Sequence, residues 1–208
     1  MPETPSSANV STKCRRIAEL ARQHCQMAFT SLNHYLDVDW LREAFYQVRK
    51  DGAPGVDGRT WCEYAARLEE NLQSLLHRAK SGTYHAPPVR RAHIPKGGSS
   101  TETRPIGIPT IEDKVLQRAV ARLLEAIYEQ DFFACSFGFR RGRSAHQALE
   151  SLWEQSMDLG IRWVLDVDVR KFFDTLDEIV DSHLLLRSPH LALAAAAGRL
   201  PQESAEIR

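Results

Sequence analysis

Three aspartates within nine residues carry the most chemistry in this sequence: Asp166, Asp168 and Asp174, inside RWVLDVDVRKFFDTLD, residues 162–177. Apolar and acidic residues alternate from Arg162 to Val169, which predicts a β-strand with Trp163, Leu165, Val167 and Val169 on one face and Val164, Asp166 and Asp168 on the other. Two carboxylates on one face repel each other unless a cation lies close. Magnesium suits such a pair, because it takes oxygen ligands and fills the rest of its shell with water and phosphate oxygens. The alternative is structural: one Asp caps the following helix and the other pairs with Arg162 or Arg170.

The chain must also supply partners for any such chemistry. Its 208 residues hold 27 basic and 27 acidic side chains, so net charge selects no partner class. The distribution does. Residues 78–143 hold twelve Lys and Arg against six acids, which predicts one cationic surface suited to phosphate or nucleic acid. The four cysteines (Cys14, Cys25, Cys62 and Cys135) are widely separated, with no zinc-like spacing, and read as free thiols in a reducing compartment. The first residues lack the apolar stretch of a signal peptide, and the run LALAAAAG is too short to span a bilayer. A cytoplasmic protein with no membrane partner is expected.

The elements that position these residues are legible as spacing. Lys13 to Phe29 and Val38 to Lys50 have helical periodicity, and DGAPGVDG (51–58) must be a loop. Thr60 and Glu63 form a capping box that opens a helix carrying Leu68, Leu72, Leu75 and Leu76 and ending near Gly82. Val89 to Pro95 and Arg104 to Ile108 predict a basic hairpin. Thr110 and Asp113 start a helix whose stripe runs through Val115, Leu116, Ala119, Val120, Leu123, Leu124 and Ile127. After the loop DFFACSFGFRRGRSAH, Ser144 and Gln147 cap a last helix, Ala145 to Asp158, which Gly160 stops. In that loop Phe137 and Phe139 either stack on nucleic-acid bases or anchor the loop, and the anchor is the favoured reading. The fold class is α+β.

Four blocks, GVDG, RRAHIPKGG with RPIGIPTIEDKVLQRAV, YEQDFFACSFGFRRGRSAHQAL and WVLDVDVRKFFDTLD, follow one another in the order and spacing of the reverse transcriptases encoded by group II introns, the intron maturases. The resemblance covers Arg15 to Asp177. It implies the fingers and partial palm of a right-hand polymerase: an N-terminal extension at 1–36, fingers with the basic hairpin at 37–160, the start of the palm at 161–178 and a divergent tail at 179–208, read as a reading-frame shift. By resemblance Asp168 is the catalytic carboxylate and, with the Val169 carbonyl, a Mg2+ ligand. Arg90, Lys96 and Arg104 reach the incoming nucleotide, and Phe173 is the aromatic gate against a 2′-hydroxyl. Arg140, Arg141 and Arg143 hold the template.

The same resemblance implies an RNA-directed DNA polymerase whose partners are intron RNA or an RNA template, a DNA primer and dNTP. The family also uses a Tyr-x-Asp-Asp motif downstream of Asp168, and this sequence holds no Asp-Asp dipeptide. Alone the chain is therefore expected to be inactive or nearly so, with a complementary C-terminal chain as a further partner. Two other readings stand beside this one: a noncatalytic RNA-binding module, and a pseudogene remnant without a stable fold.

Overall fold

A computed structural model describes residues 5–24, 29, 32–95 and 103–169. Six helices and one two-stranded sheet are formed there: α1 (Pro5–Gln23), α2 (Val38–Gln47), α3 (Trp61–Ala65), α4 (Leu68–Ser81), β1 (Arg90–Pro95), β2 (Thr103–Ile108), α5 (Ile111–Tyr128) and α6 (Ala145–Asp158), with a short 3-10 turn at Asn33–Tyr35. None of these helices is long and apolar enough to cross a membrane. The chain divides into two compact units, one drawn from residues 1–17 and 31–126, the other from 18–30 and 127–208.

The first unit is built on a helical core. Val10 and Ile17 of α1, Trp40, Leu41, Ala44 and Phe45 of α2, Tyr64 of α3, Leu72 and Leu75 of α4, and Val115 and Ala119 of α5 are buried. Each large apolar side chain removed from water contributes about 1.5–3 kcal/mol. Trp40 adds direction, since its indole Nε1 donates to the Ala119 carbonyl at 3.0 Å and Arg122 lies over its ring while pairing with Glu43 at 3.0 Å. Arg42 grips both Glu69 oxygens at 2.8 Å, tying α2 to α4. The predicted wide stripe on α5 narrows to an i, i+4 seam, Ile111, Val115, Ala119, Leu123 and Ile127, with Val120 exposed.

Helix ends follow the expected caps with one interruption. The Thr60 hydroxyl accepts from the Glu63 amide at 3.3 Å and the Glu63 carboxylate accepts from the Thr60 amide at 2.7 Å, so the capping box forms. It opens only the five residues of α3. At Arg67 the backbone leaves the helix, and Asn71 Nδ2 donates at 2.9 Å to the Tyr64 carbonyl that the amide of residue 68 would otherwise bond. Gly82 then ends α4 in the left-handed conformation, φ 72°. Helix α1 begins at Pro5, ahead of the expected start at Lys13.

In the second unit Ser144 and Gln147 form the other capping box, with bonds of 2.9 and 3.3 Å, and Gly160 at φ 60° stops α6. No residue of α6 is buried. The strand expected at Arg162 to Val169 does not form: residues 161–169 have no regular secondary structure and are exposed, and β1 with β2 is the one sheet among the described residues. The alternating pattern is present, but a strand exists only through a neighbour that takes its backbone hydrogen bonds. No described segment supplies one.

Candidate functional site

The basic hairpin forms as an antiparallel pair in which Arg90 lies opposite Ile108, Ala92 opposite Ile106 and Ile94 opposite Arg104. Because cross-strand partners share a face and successive residues alternate, Arg90 and Arg104 stand on one face with Ala92, Ile94, Ile106 and Ile108 between them. Four residues of strand separate their positions, about 13 Å at the Cα atoms. Arg91 and His93 point to the other face. Both arginines of the first face are exposed, so this strip offers two cations at the ends of an apolar floor. Lys96 lies outside the described residues.

The base of the hairpin is fixed by close backbone approach. A Cβ on Gly55 would stand 2.6 Å from the Thr110 Cα and 2.7 Å from its nitrogen, so the loop 51–58 seats directly on the chain entering α5. Lys114, one turn into α5, donates to the Ala53 carbonyl at 2.6 Å and closes the same contact. Partial burial pushes its ammonium below the ordinary lysine range; the charge of Arg90 acts in the same sense and Asp57 against it. Lys114 therefore shares a cationic neighbourhood with Arg90. Sequence reasoning counted Lys114 in the basic block without assigning it a role, because its partner lies 61 residues away.

Behind this contact Asp113 is buried and fully engaged. It accepts from the Tyr84 hydroxyl at 3.1 Å and from Gln117 Nε2 at 2.7 Å, while its amide donates to the Thr110 hydroxyl at 3.3 Å. Arg78 pairs with Glu112 at 2.8 Å and lies over the Tyr84 ring. These bonds hold the approach to β1 against the start of α5.

In the second unit the arginine-rich loop is organised around Arg140. Its guanidinium donates to both Glu129 oxygens (3.3 and 2.6 Å), to the Phe133 carbonyl (3.0 Å) and to the Ser136 carbonyl (2.7 Å), and lies over the Phe132 ring. Four of its five N–H donors are thus spent inside the loop, and the side chain is 7% exposed. The Glu129 carboxylate raises its already high pKa. Arg140, expected to hold template, is engaged here as an inward clamp within its own loop. Arg141 and Arg143 are exposed, Arg143 covering the Phe137 ring at 5.3 Å. Phe137 is half-buried, whereas Phe139 is fully exposed, against the anchor reading.

Asp166, Asp168 and Val169 lie on the exposed segment after α6. Among the described residues neither aspartate has an ion-pair or hydrogen-bond partner, and no group of three or more His, Cys, Asp or Glu residues is placed to hold a metal. The donor chemistry suits magnesium in kind, two carboxylates and a backbone carbonyl, all hard oxygens open to solvent. Phe173 lies outside the described residues. The structure thus brings Arg90 and Arg104 onto one face, and Arg141 and Arg143 onto one loop.

Comparison with known proteins gives this arrangement a class. Residues 94–181 match the reverse transcriptase (RNA-dependent DNA polymerase) family, a span that takes in β2, α5, the Arg140 loop, α6 and Asp168. With it the chain joins the reverse transcriptases. Protein YkfC of Escherichia coli K12 is 41% identical over 144 residues, which cover 66% of this chain and 37% of that protein. The group II intron-encoded protein LtrA of Lactococcus lactis subsp. cremoris is 34% identical over 168 residues, 79% of this chain and 27% of that protein. A putative COX1/OXI3 intron 1 protein of Saccharomyces cerevisiae is 28% identical over 143 residues, 67% of this chain and 16% of that protein. Within its class the chain is a group II intron reverse transcriptase/maturase sequence, and it spans about a third of the length of the first two of these relatives.

Proposed function

We propose that the chain is the fingers and the first part of the palm of an RNA-directed DNA polymerase, and that in complete form the enzyme extends a DNA primer on an RNA template, intron RNA included. The observation that carries this is the family match over residues 94–181, a stretch that contains Arg104, Asp168 and Phe173. The primer 3′-hydroxyl attacks the α-phosphorus of a dNTP, a new P–O bond forms, and pyrophosphate leaves with the old one. Magnesium, held by Asp168 and the Val169 carbonyl, supplies charge neutralisation at the reacting phosphate when bound. Arg90, Lys96 and Arg104 neutralise the triphosphate, and Arg141 and Arg143 meet template phosphates. Phe173 rejects a ribose 2′-hydroxyl by volume and by leaving it without a hydrogen-bond partner.

On its own this chain is inactive or nearly so, because a two-metal site needs more carboxylates than Asp168 and its neighbours provide. A complementary C-terminal polypeptide completes it, in the cytoplasm. Leu149, Leu152, Trp153 and Met157 on α6 and the unpaired run 163–169 are exposed apolar surface of the kind such a partner covers. The noncatalytic RNA-binding reading has a specific support too, since the cations exposed on the hairpin and the Arg140 loop need no catalytic centre to bind phosphate.

The test is magnesium-dependent primer extension on an RNA template by this chain, alone and with a polypeptide carrying the Tyr-x-Asp-Asp region of a relative. Extension only in the mixture is the expected result. RNA binding without extension in either sample would replace the polymerase reading with the binding module, and absence of both would remove it.

A further inference from the structure

Phe139 is anomalous in two independent ways. It is the one non-glycine among the described residues with a positive φ, 56°, a region that costs a bulky side chain conformational energy, and its ring is fully exposed. A strained backbone that holds a large apolar ring in water persists only where its surroundings impose it. Here they do. The next residue is Arg140, whose four hydrogen bonds fasten the turn to Glu129, Phe133 and Ser136, and the Arg140 carbonyl accepts from the Arg143 amide at 3.2 Å.

The surroundings of the ring identify its occupant. Residues 136–146, SFGFRRGRSAH, contain three arginines and no acid. With Arg140 turned inward, the cations left outside are Arg141 and Arg143. Gly138 precedes Phe139 and Gly142 follows it by three residues, and a Cβ at either would meet nothing within 4 Å, so the backbone at both glycines is open to close approach. Glycines and cations around a flat ring suit an aromatic base on a phosphate chain, whereas an apolar protein partner would call for aliphatic neighbours.

Resting on the nucleic-acid reading above, we propose that Phe139 is a stacking platform for an unpaired RNA base, that Arg141 neutralises the adjoining phosphate, and that Arg140 is the positioning residue that holds the ring outward. Stacking is indifferent to base identity, so the contact contributes affinity without sequence preference.

The experiment is fluorescence anisotropy of the 208-residue chain with a labelled single-stranded oligo-adenylate, and with an abasic oligomer of equal charge, over a range of salt. Phe139→Ala should weaken oligo-adenylate binding roughly 5- to 150-fold, the loss of one stacked base, and leave the salt slope and abasic binding unchanged. Phe139→Trp should restore binding. Arg141→Ala should reduce the salt slope by about 0.7. Phe139→Gly suits the left-handed backbone and should show the same binding loss with no fall in melting temperature, which separates the ring from the fold. If the wild type binds RNA with normal salt dependence and Phe139→Ala binds equally well, the stacking role is refuted and the nucleic-acid reading survives. If the wild type shows no salt-dependent binding, both fall.

Discussion

Gly55→Ala tests how the loop 51–58 is seated. The new methyl carbon would stand 2.6 Å from the Thr110 Cα, 2.7 Å from its nitrogen and 2.9 Å from the Pro109 carbonyl carbon, where ordinary contact begins at 3.4 Å. All three obstacles are backbone at the entrance to α5, so no side chain can swing aside. The loop must retreat by nearly 1 Å, at an overpacking cost of about 1–3 kcal/mol. That retreat also stretches the 2.6 Å bond from Lys114 to the Ala53 carbonyl, a charged hydrogen bond near the surface, adding about 1 kcal/mol. A loss of about 2–4 kcal/mol follows, read as a lower urea midpoint by the fluorescence of Trp40 and Trp61. Gly58→Ala is the control: its Cβ would meet nothing within 4 Å, and only its φ of 69° opposes a side chain, at about 1–2 kcal/mol. Equal stability of Gly55→Ala and wild type, or a larger loss at Gly58, would refute the seating.

Tyr84→Phe removes a hydroxyl that bonds Asp113 at 3.1 Å and should cost about 1 kcal/mol, whereas Tyr64→Phe removes a buried hydroxyl with no partner among the described residues and should cost nothing or stabilise. Chemical denaturation of the two variants side by side checks the order. Burial raises both phenols above their ordinary 10.0, so their folded forms keep a proton that the unfolded chain gives up; stability is whole below about pH 10 and falls as pH rises past it, and Tyr64→Phe should flatten that fall in alkaline melts. Arg140→Ala should open residues 129–144 to limited proteolysis while residues 60–81 stay protected, because Arg140 closes its loop through four bonds that no other described side chain replaces.

Local chemistry was readable in the sequence wherever cause and effect lie within a few residues. Both capping boxes, the glycine after α4 and the hairpin are set by spacing alone, while the α5 stripe was read wider than the seam that packs. The break at Arg67 was not readable, because it depends on Asn71 taking the Tyr64 carbonyl. Nor was the need for Gly55, whose obstacle lies at Pro109 and Thr110. Residue type placed Arg140 among the cations free to bind phosphate, and side-chain direction reversed that. For Phe139 composition left stacking and anchoring both open, and its full exposure on a left-handed backbone weighs against the anchor. At 162–169 the alternation is real, but pairing belongs to the neighbour as much as to the strand. The order of the four blocks carried the family, and the catalytic roles rest on that order more than on any distance.

The most direct test of the polymerase reading compares Asp168→Asn with Asp166→Asn in the chain completed by a polypeptide bearing the Tyr-x-Asp-Asp region. Single-nucleotide addition is followed at saturating magnesium. The account predicts that Asp168→Asn abolishes addition while Asp166→Asn retains most of it, with both variants folded and binding RNA as the wild type does. Undiminished addition by Asp168→Asn would contradict it.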